Sequence, residues 1–455
     1  MVFRGPMEGT MARTQSPNGN APDEGGEAYI SSKLHRIATR AKEQKETVFT
    51  SLAHLLDYDL LVEAYRRTRK SGAVGIDNQT AKDYAADLER NLKSLHERLR
   101  SGRYVAPPVR RVHLPKPDGK TRPIGIPTFE DKLLQRAVVM LLEPLYEPLF
   151  YDFSYGFRPK RSAHDALEAF WKRGMDVNGG WIIELDIQSY FDKIPHNRLR
   201  EFLDLRVKDK AIRRLISKWL NAGVMEQGQH SRTDSGSPQG GVISPLLANI
   251  YLHYVLDKWF EEMVRPCMRD SCHLIRYADD AVLLFANESD ANRVLNTLPK
   301  RFAKYGLTLH PEKTRLVDFR KPRWPETRKR GVSIDFLGFR HTWGPSHKQG
   351  RPVIKRATAP SRLRRSLHNI AQWCRLHRHR RVDEQYAALT QKLRGHYGYF
   401  ALIGNRNALR HFWCEVRGTW QKWLNRRSNR ARMSWKRFYE LLKRYPLPEP
   451  PSLSY

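Results

Sequence analysis

Hydrophobic and polar positions along the first third of the chain predict helices and one hairpin. Leucines recur at helical spacing between 30 and 70, and "SGAVGIDNQT" separates them from an amphipathic helix at 84–102 that Gly102 ends. The segment "VRRVHLPKPDGKTRPIGIPT" (109–128) has two short extended runs around Pro-Asp-Gly-Lys, which predicts a β-hairpin with basic arms. Residues 129–150 return to helical periodicity.

Two apolar runs in the middle of the chain predict buried strands that carry acids. "WIIELDIQSYF" (181–191) has a single acid, Asp186, in its middle. "RYADDAVLLF" (276–285) has Asp279 and Asp280 side by side against five apolar residues. A buried carboxylate is costly unless a positive species neutralises it, so each run raises the question of its counter-charge.

The remaining segments predict the fold class. Ser244 as N-cap and Pro245 as the first helical residue predict a helix over 244–264. Residues 306–319 and 334–343 have the composition of strands. Short strands between helices predict an α+β fold in which one antiparallel sheet is backed by helices.

Charge indicates the class of partner. The 455 residues include 81 Lys and Arg against 48 Asp and Glu, a net charge of +33, which predicts a polyanion as partner. Residues 340–455 hold 26 Lys and Arg against 5 Asp and Glu, and from about 358 the chain is helical, aromatic and basic. This asymmetry predicts a separate nucleic-acid-binding domain. A basic surface that only confers solubility is the alternative.

Composition also limits the compartment. Four cysteines in so long a chain predict no disulfide framework and a reducing environment, and a structural metal at Cys267, Cys272 and His273 is a minor alternative. No apolar run approaches eighteen residues, so no membrane partner is expected. The first 30 residues have no apolar core of a signal peptide and are interpreted as a disordered leader.

The carboxylates suggest a chemistry. If the two acidic strands are neighbours, Asp186, Asp279 and Asp280 converge at one edge of the sheet. Carboxylate oxygens together with substrate phosphates hold Mg²⁺, and two such ions about 4 Å apart stabilise the attacking and leaving oxygens of a phosphoryl transfer. The alternative is an Asp-Asp turn at a hairpin tip, where acids are common.

Tyr277-Ala278-Asp279-Asp280 resembles the polymerase signature of reverse transcriptases, in the form typical of group II intron-encoded proteins. Over roughly 70–445 the chain resembles the bacterial reverse transcriptase/maturase of that family. Seven blocks occur in the family's order, and a maturase-like segment follows. Besides the signature they are "LPKPDGKTRPIGIP", "FSYGFRPKRSAHDAL", "LDIQSYFDKIPH", "GSPQGGVISPLLANIYLHYVLD", "GLTLHPEKT" and "DFLGF", and then "LRGHYGYF".

The resemblance implies a right-hand polymerase with an α-helical thumb. The implied domains are a leader (1–30), an N-terminal helical extension (31–108), fingers and palm (109–357), a thumb or maturase domain (358–445) and a tail (446–455). No Cys/His pairs follow "LKRYP", so the family's HNH endonuclease is expected to be missing. Independent cleavage of a second DNA strand is therefore in doubt.

The resemblance also assigns roles in catalysis. Asp186 and Asp279 are the main ligands of two Mg²⁺ ions, with Mn²⁺ as a substitute. Asp280 and the Ile187 carbonyl complete the predicted set. Phe191 matches the steric gate that excludes a ribose 2′-OH, with a core position as the alternative. The other implied substrate contacts are Gln239 at the incoming nucleotide, Lys116 and Arg122 at the triphosphate, for which a solvated basic hairpin is the alternative, and Lys313 near the acids.

The basic helices are expected to bind RNA through phosphates, because a solvated face normally mixes charges of both signs. Their aromatic rows are interpreted as helical core rather than as stacking platforms. The resemblance favours folded RNA as the partner. The predicted contacts are Arg362, Arg364, Arg365, Arg378, Arg394, Arg426 and Arg427.

The function implied is RNA-directed DNA synthesis by a group II intron maturase that also binds its intron RNA and assists splicing. The expected partners are intron RNA, an RNA template with a DNA primer, deoxynucleoside triphosphates and a DNA target, in a cytoplasmic, nucleoid-associated ribonucleoprotein. Two alternatives are a domesticated or defence-associated reverse transcriptase and a splicing cofactor that does not polymerise. The intact acids argue against the second alternative.

Overall fold

The protein is described here from a computed structural model, which covers residues 24–115, 121–226, 229–231, 236, 240–323, 332–346, 350–428 and 432–452. Lys116, Gln239 and residues 1–23, for which the sequence makes predictions, lie outside the described residues. Helices and short sheets alternate along the chain, so the predicted α+β class is confirmed.

Helices make up most of the described chain. They are α1 (Glu24–Glu43), α2 (Tyr58–Arg67), α3 (Ala81–Ala85), α4 (Leu88–Arg100), α5 (Phe129–Tyr146), α6 (Ala163–Asp176), α7 (Tyr190–Lys193), α8 (His196–Asp204), α9 (Lys210–Leu220), α10 (Ser244–Leu252), α11 (Glu288–Lys304), α12 (Pro360–Leu376), α13 (Val382–Phe400), α14 (Arg406–Leu424) and α15 (Trp435–Arg444).

The single antiparallel sheet predicted from the sequence is wrong: within the described residues the strands form three sheets, of order β2-β1-β4-β5, β6-β7-β3-β8 and β11-β10-β9, and β1 pairs with β4 in parallel. The strands are β1 (Val109–Pro115), β2 (Thr121–Ile126), β3 (Trp181–Leu185), β4 (Val224–Glu226), β5 (Gln229–Ser231), β6 (Cys272–Tyr277), β7 (Asp280–Phe285), β8 (Arg315–Asp318), β9 (Ile334–Phe336), β10 (Phe339–Pro345) and β11 (Pro352–Thr358).

The first helix begins earlier than the sequence suggested. It starts at Glu24, so the last residues assigned to the disordered leader are helical. The reason is that Ile30, Ile37 and Ala41 recur at helical spacing and are all buried. The fully buried Arg206 donates to the carbonyl of Ala41 at 2.9 Å and so satisfies the end of the helix.

The predicted hairpin is confirmed in its arms. β1 and β2 pair antiparallel from Arg110 opposite Ile126 to Pro115 opposite Thr121, and the tip between them lies outside the described residues. Upstream, the predicted amphipathic helix is divided into α3 and α4, and Gly102 follows α4 with a φ of 72°.

The sheet β6-β7-β3-β8 is antiparallel where it carries the acids. Two residues connect β6 to β7, a link that joins only antiparallel strands. A Cβ on Gly180 would lie 2.2 Å from the carbonyl oxygen of Phe285, so the start of β3 lies beside the end of β7. The opposite ends of these strands therefore meet, which brings Asp186 to the start of β7.

Two sequence predictions about this region are corrected. The strand predicted over 181–191 ends at Leu185, so Asp186 follows the strand instead of lying in its middle. The chain turns away there, because Ser189 has a left-handed φ of 46° and α7 begins at once. Ser244 is the first residue of α10 and not its N-cap; Ile243 takes that place without a side-chain hydrogen bond.

The helix that begins with α10 continues through two π-helical turns, His253–Asp257 and Phe260–Val264. A π turn closes on the residue five positions along rather than four, and such turns are frequent at functional sites. Asp257, the last residue of the first π turn, is fully buried, which calls for a partner.

The described chain divides into two compact units. The first unit holds the residues up to Ala169 together with Ile183–Leu283 and Asn287–Leu316, and it includes every predicted catalytic acid. The second unit holds Phe170–Ile182, Leu284–Ala286 and the chain from Val317 onward. The domain boundaries implied by the resemblance, at 108 and 357, stay predictions.

The second unit has its own hydrophobic core, as its aromatic rows predicted. Trp420, Phe412 and Phe438 are buried in it among leucines of α13 and α14. Leu363, Leu367, Ile370 and Trp373 of α12 contribute to the same core. Two aromatic residues of α15 depart from the prediction, because Trp435 and Tyr439 are half exposed.

Two histidines of the second unit, the buried His341 and the half-buried His396, predict a loss of stability in acid. Burial lowers the pKa of His341 to about 3 and that of His396 to about 4, below the ordinary value of about 6.5. Below pH 6.5 these two histidines are therefore protonated in the unfolded chain but remain neutral in the folded unit. Each histidine is expected to cost about 1.4 kcal/mol of stability per pH unit between pH 6 and 4.5.

The measurement is the melting temperature between pH 7.5 and 5 of wild type and of His341→Phe/His396→Phe. The phenyl rings suit the same aromatic neighbours, Phe170 at 4.4 Å and Phe412 at 3.7 Å. The double variant should have a flatter pH dependence, whereas replacing the exposed His379 by Gln should change nothing. Equal slopes for wild type and double variant would contradict the prediction.

Among the described residues, no helix has the length and apolar character that a membrane crossing requires.

Candidate active site

Asp279 occupies the turn of the β6–β7 hairpin. Ala278 and Asp279 form this turn, and Asp280 is the first residue of β7. The alternative interpretation, an Asp-Asp turn at the tip of a hairpin, is therefore correct for the local backbone geometry. Asp279 is nevertheless half-buried, while Asp280 is exposed, so the turn lies against the protein and not out in solvent.

Asp186 is held by its backbone at the same edge of the sheet. Its carbonyl accepts hydrogen bonds from His310 N at 2.8 Å and from Thr314 Oγ1 at 3.3 Å. Its N–H donates to the same Thr314 oxygen at 3.3 Å. The sequence did not predict that Thr314 positions the backbone of Asp186. Its place at the end of the "GLTLHPEKT" block was the only sequence signal for this role.

The two acids are close enough to affect each other. Burial raises the pKa of the Asp279 carboxyl, and the negative charge of Asp186 adds to the rise. The Asp279 backbone N–H and the charges of Arg122 and Arg276 oppose that rise of the pKa. The pair is a concentration of negative charge that a cation would stabilise.

Two predicted basic residues lie near this pair. Lys313 Nζ is 3.3 Å from Asp186 Oδ2, and 61% of the Lys313 side chain is exposed. Arg122 is exposed on β2, and its charge acts on Asp279. The structure thus brings both predicted cations toward the acids, while their contacts with a substrate stay predictions.

Ile187, whose carbonyl is a predicted metal ligand, is oriented by strand-like pairing. It lies opposite Leu309, with hydrogen bonds on either side from Gln188 N to Thr308 O and from His310 N to Asp186 O. In this non-hydrogen-bonded kind of pair, the carbonyl points away from the partner segment. The Ile187 oxygen is therefore not used by residues 308–310.

The acids alone do not form a complete metal cage. Across the residues that the structure covers, no group of three or more His, Cys, Asp or Glu side chains is arranged to hold a metal ion. Asp186 and Asp279 form the convergent pair, and the role of Asp280 as a third ligand stays a prediction. Two carboxylates still fit Mg²⁺, which takes one or two of them and completes its shell with waters and substrate phosphates.

The loop after Gln239 lies against the basic hairpin. Gly240 has a φ of 118°, and a Cβ there would be 2.5 Å from the carbonyl oxygen of Gly125 in β2. The buried Gln135 of α5 accepts hydrogen bonds from Val242 N at 2.7 Å and Ile243 N at 3.3 Å. Gln135 was not predicted, since one polar residue in an apolar helix carries no local signal of such a contact.

Phe191 lies in α7, directly after the turn that follows Asp186. Its ring is 8% exposed and 5.4 Å from the ring of Tyr190, whose hydroxyl donates to the Ala248 carbonyl at 2.6 Å. The predicted core position is therefore compatible with the structure, and its role as a steric gate stays a prediction. Tyr190 fixes the segment that carries Phe191.

The predicted RNA-binding arginines differ in their surroundings. Arg378 and Arg427 are half-buried, and Arg427 Nε donates to the Arg378 carbonyl at 2.5 Å, so Arg427 holds the loop after α12. Burial, and then the charge of Arg362, lowers the pKa of Arg365. The exposed members of the set are Arg362, Arg364, Arg365, Arg394 and Arg426.

Comparison with known proteins identifies the class to which this fold and site belong. The reverse transcriptase (RNA-dependent DNA polymerase) family matches residues 114–341, half of the chain. The chain belongs to this family, whose members generally use divalent metal ions. The matched range contains every residue predicted for catalysis and substrate binding, including Lys116 and Gln239, which lie outside the described residues.

One relative is named as a group II intron-encoded protein, which together with the family match confirms the resemblance. The chain is 42% identical over 244 residues to the group II intron-encoded protein LtrA of Lactococcus lactis, covering 52% of the chain and 40% of that protein. It is 38% identical over 231 residues to protein YkfC of Escherichia coli, covering 49% of the chain and 61% of that protein. A nuclear intron maturase of Arabidopsis thaliana is 26% identical over 231 residues. The chain thus spans less than two thirds of the length of these first two relatives.

Proposed function

We propose that this chain is an RNA-directed DNA polymerase that binds group II intron RNA, assists its splicing and copies it into DNA. The observation that carries the proposal is the convergence of Asp186 and Asp279 at one sheet edge, within the part of the chain that matches the reverse transcriptase family. A protein that only binds RNA has no use for a half-buried pair of carboxylates, because burial of such charge is costly.

The polymerase proposal gives each part of the described chain a role. The β1–β2 hairpin corresponds to the fingers, and the β6-β7-β3-β8 sheet corresponds to the palm that carries the acids. The helices from α12 onward correspond to the thumb or maturase region. This right-hand arrangement is supported by the order of the blocks along the chain and by the antiparallel sheet on which the acids lie.

Asp186, Asp279 and the Ile187 carbonyl would hold Mg²⁺, with Mn²⁺ as a substitute. When bound, a pair of such ions stabilises the charge on the attacking and leaving oxygens of nucleotidyl transfer. Asp186 and Asp279 supply the hard oxygen donors, and Asp280 is proposed as a further ligand. Burial, and then the charge of Asp186, raises the pKa of Asp279, and a bound cation would stabilise the charged form of that carboxylate; this is the structural reason why a cation fits.

The residues proposed to bind the substrate are those near the sheet edge that carries the acids. Arg122 on β2 and Lys116 at the hairpin tip would bind the triphosphate, where cations offset negative charge in the transition state. Gln239 would contact the incoming nucleotide beside the backbone that Gly240 keeps close to β2. The positive charge of Lys313 would balance the negative charge of Asp186 before the substrate binds.

The maturase part of the proposal depends on the exposed arginines of the second unit. Arg362, Arg364 and Arg365 project from about one turn of α12, and all three are exposed. Like charges so close repel each other unless an anion lies between them. RNA phosphates are the anions that the relatives' names point to, so intron RNA is the proposed partner.

Single-nucleotide primer extension on an RNA template tests the polymerase and the gate together. Wild type should add deoxynucleotides in Mg²⁺ and discriminate against ribonucleotides. Phe191→Ala should raise ribonucleotide use about 10- to 100-fold, because a lost steric clash is worth about 1–3 kcal/mol. The matched control is Tyr439→Ala, which removes a half-exposed ring in the second unit and should leave sugar choice unchanged.

The two outcomes are separable. An inactive wild-type protein would remove the polymerase proposal. If the wild type is active and Phe191→Ala leaves the ratio of deoxynucleotide to ribonucleotide use unchanged, Phe191 has only a role in the hydrophobic core. The polymerase proposal is then retained.

A further inference from the structure

The turn that presents Asp279 adopts an unfavourable backbone conformation. Ala278 has a left-handed φ of 58°, which is unfavourable for a residue with a Cβ. In addition, the turn holds Asp279 near Asp186, whose charge repels it. Both effects favour another conformation of the turn, so something in the surrounding structure must hold it.

The side chain of Arg276 supplies that restraint. Arg276 is the second residue before Ala278 and is fully buried. Its Nη1 donates to the Ala278 carbonyl at 2.9 Å and to Asn249 Oδ1 at 3.0 Å. Its other face makes a bidentate ion pair with the fully buried Asp257, with Nε to Oδ1 at 2.7 Å and Nη2 to Oδ2 at 2.5 Å.

A second set of contacts holds the turn from its other side. Asn249 Nδ2 donates to the carbonyl of Gly156 at 2.6 Å. Gly156 lies so close to the turn that a Cβ there would be 2.3 Å from Ala278 N. The backbone of Arg276 pairs with the same strand-like segment, since Tyr155 N donates to its carbonyl and its N–H donates to Phe153 O, both at 2.8 Å.

We propose that Asp257, Arg276, Asn249 and Gly156 form a turn clamp, a positioning network that fixes the Ala278–Asp279 peptide and so sets the Asp279 carboxylate opposite Asp186 for cation binding. These residues touch neither substrate nor reacting atoms. They act through the turn, and the inference rests on the proposed polymerase function.

Stability alone does not account for the clamp. A buried ion pair is often no better for stability than apolar residues of the same size, because desolvation offsets the attraction. The guanidinium instead offers several donors in a fixed plane, and here it uses them on three residues of two segments, Asn249 and Asp257 of one helix and Ala278 of the turn. The turn requires this planar arrangement of donors, which the single ammonium group of a lysine cannot reproduce.

Arg276→Lys is the sharpest test, because it keeps the charge beside Asp257 and loses the planar set of donors. The expected result is a 10- to 100-fold lower kcat for nucleotide addition, with KM for the nucleotide and affinity for the RNA template changed less than about threefold. Mn²⁺ binding, measured by electron paramagnetic resonance without nucleotide, should weaken about tenfold.

Arg206→Lys is the matched control. Arg206 is equally buried and donates to the carbonyls of Ala41 and Thr47, far from Asp279 in the chain. It should lower the melting temperature and leave kcat and Mn²⁺ affinity unchanged. If Arg276→Lys does not fold, Asn249→Ala replaces it, since that variant keeps the ion pair and removes the link to Gly156.

The outcomes separate the clamp from the polymerase proposal. A variant of the clamp that binds Mn²⁺ and polymerises like wild type, with only its melting temperature lowered, would reduce the network to a stabilising role and overturn the inference. A wild-type protein that does not polymerise would overturn the proposed function, while the comparison of Mn²⁺ binding would still decide whether the clamp positions Asp279.

Discussion

Replacing Asp279 by asparagine is expected to lower the rate of primer extension on the order of 10³-fold or more. Asparagine has nearly the same shape, so the turn and its clamp are retained. The negative charge that would hold a divalent cation is lost. Because burial and the charge of Asp186 raise the pKa of Asp279, removing its charge should leave the melting temperature unchanged or raise it slightly.

The measurement is the single-turnover rate of DNA synthesis on an RNA template, together with the melting temperature and the affinity for that template. Asp270→Asn, which neutralises an exposed acid in the loop before β6, is the control and should behave like wild type. Extension by Asp279→Asn at a rate near that of wild type would contradict the assignment of the active site.

Reversing the charge of Arg362, Arg364 and Arg365 to glutamate is expected to weaken intron RNA binding on the order of 10²-fold and to impair splicing. Each lost phosphate contact should also reduce the slope of log affinity against log salt by about 0.7 to 0.9. Primer extension at saturating template should decline far less, because the acids lie in the first unit. Asp279→Asn should show the opposite pattern, with splicing retained and DNA synthesis lost.

A variant of equal net charge separates local contact from the overall electrostatic field. Arg90, Lys93 and Arg100 are exposed on α4, and their reversal to glutamate changes the charge of the chain by the same amount. If both triple variants weaken RNA binding equally, the effect comes from net charge. Normal splicing with an unaltered salt slope in the α12 variant would remove the maturase role of that helix.

Local pattern was sufficient to predict much of the fold. The hairpin arms around Pro-Asp-Gly-Lys, the helix α5 and the apolar side of α12 each follow from spacing within one segment. The convergence of Asp186 with Asp279 was also predicted, because two apolar strands that each carry an acid are unusual enough to be read together.

Contacts between distant segments were not predictable in this way. The sequence showed Arg276 as the start of an apolar strand. Its partners Asn249 and Asp257 lie on a helix that precedes this strand, and Gly156 lies more than 100 residues upstream. Such a network leaves no periodic signal, because its members lie far apart in the chain and each is a single residue within its own segment. The end of β3 at Leu185 was missed since apolar residues continue past the turn at Ser189.

The π turn at His253–Asp257 makes this segment tolerant of a change in length. A π turn contains one residue more than an α turn, so deleting a residue there restores a regular helix without breaking its continuity. The residues beyond such a deletion keep their side of the helix, whereas a deletion in the regular helix before the π turn would rotate them by about 100° around the helix axis. Homologues that are one residue shorter within the π turn can therefore still place an acid opposite the arginine at position 276.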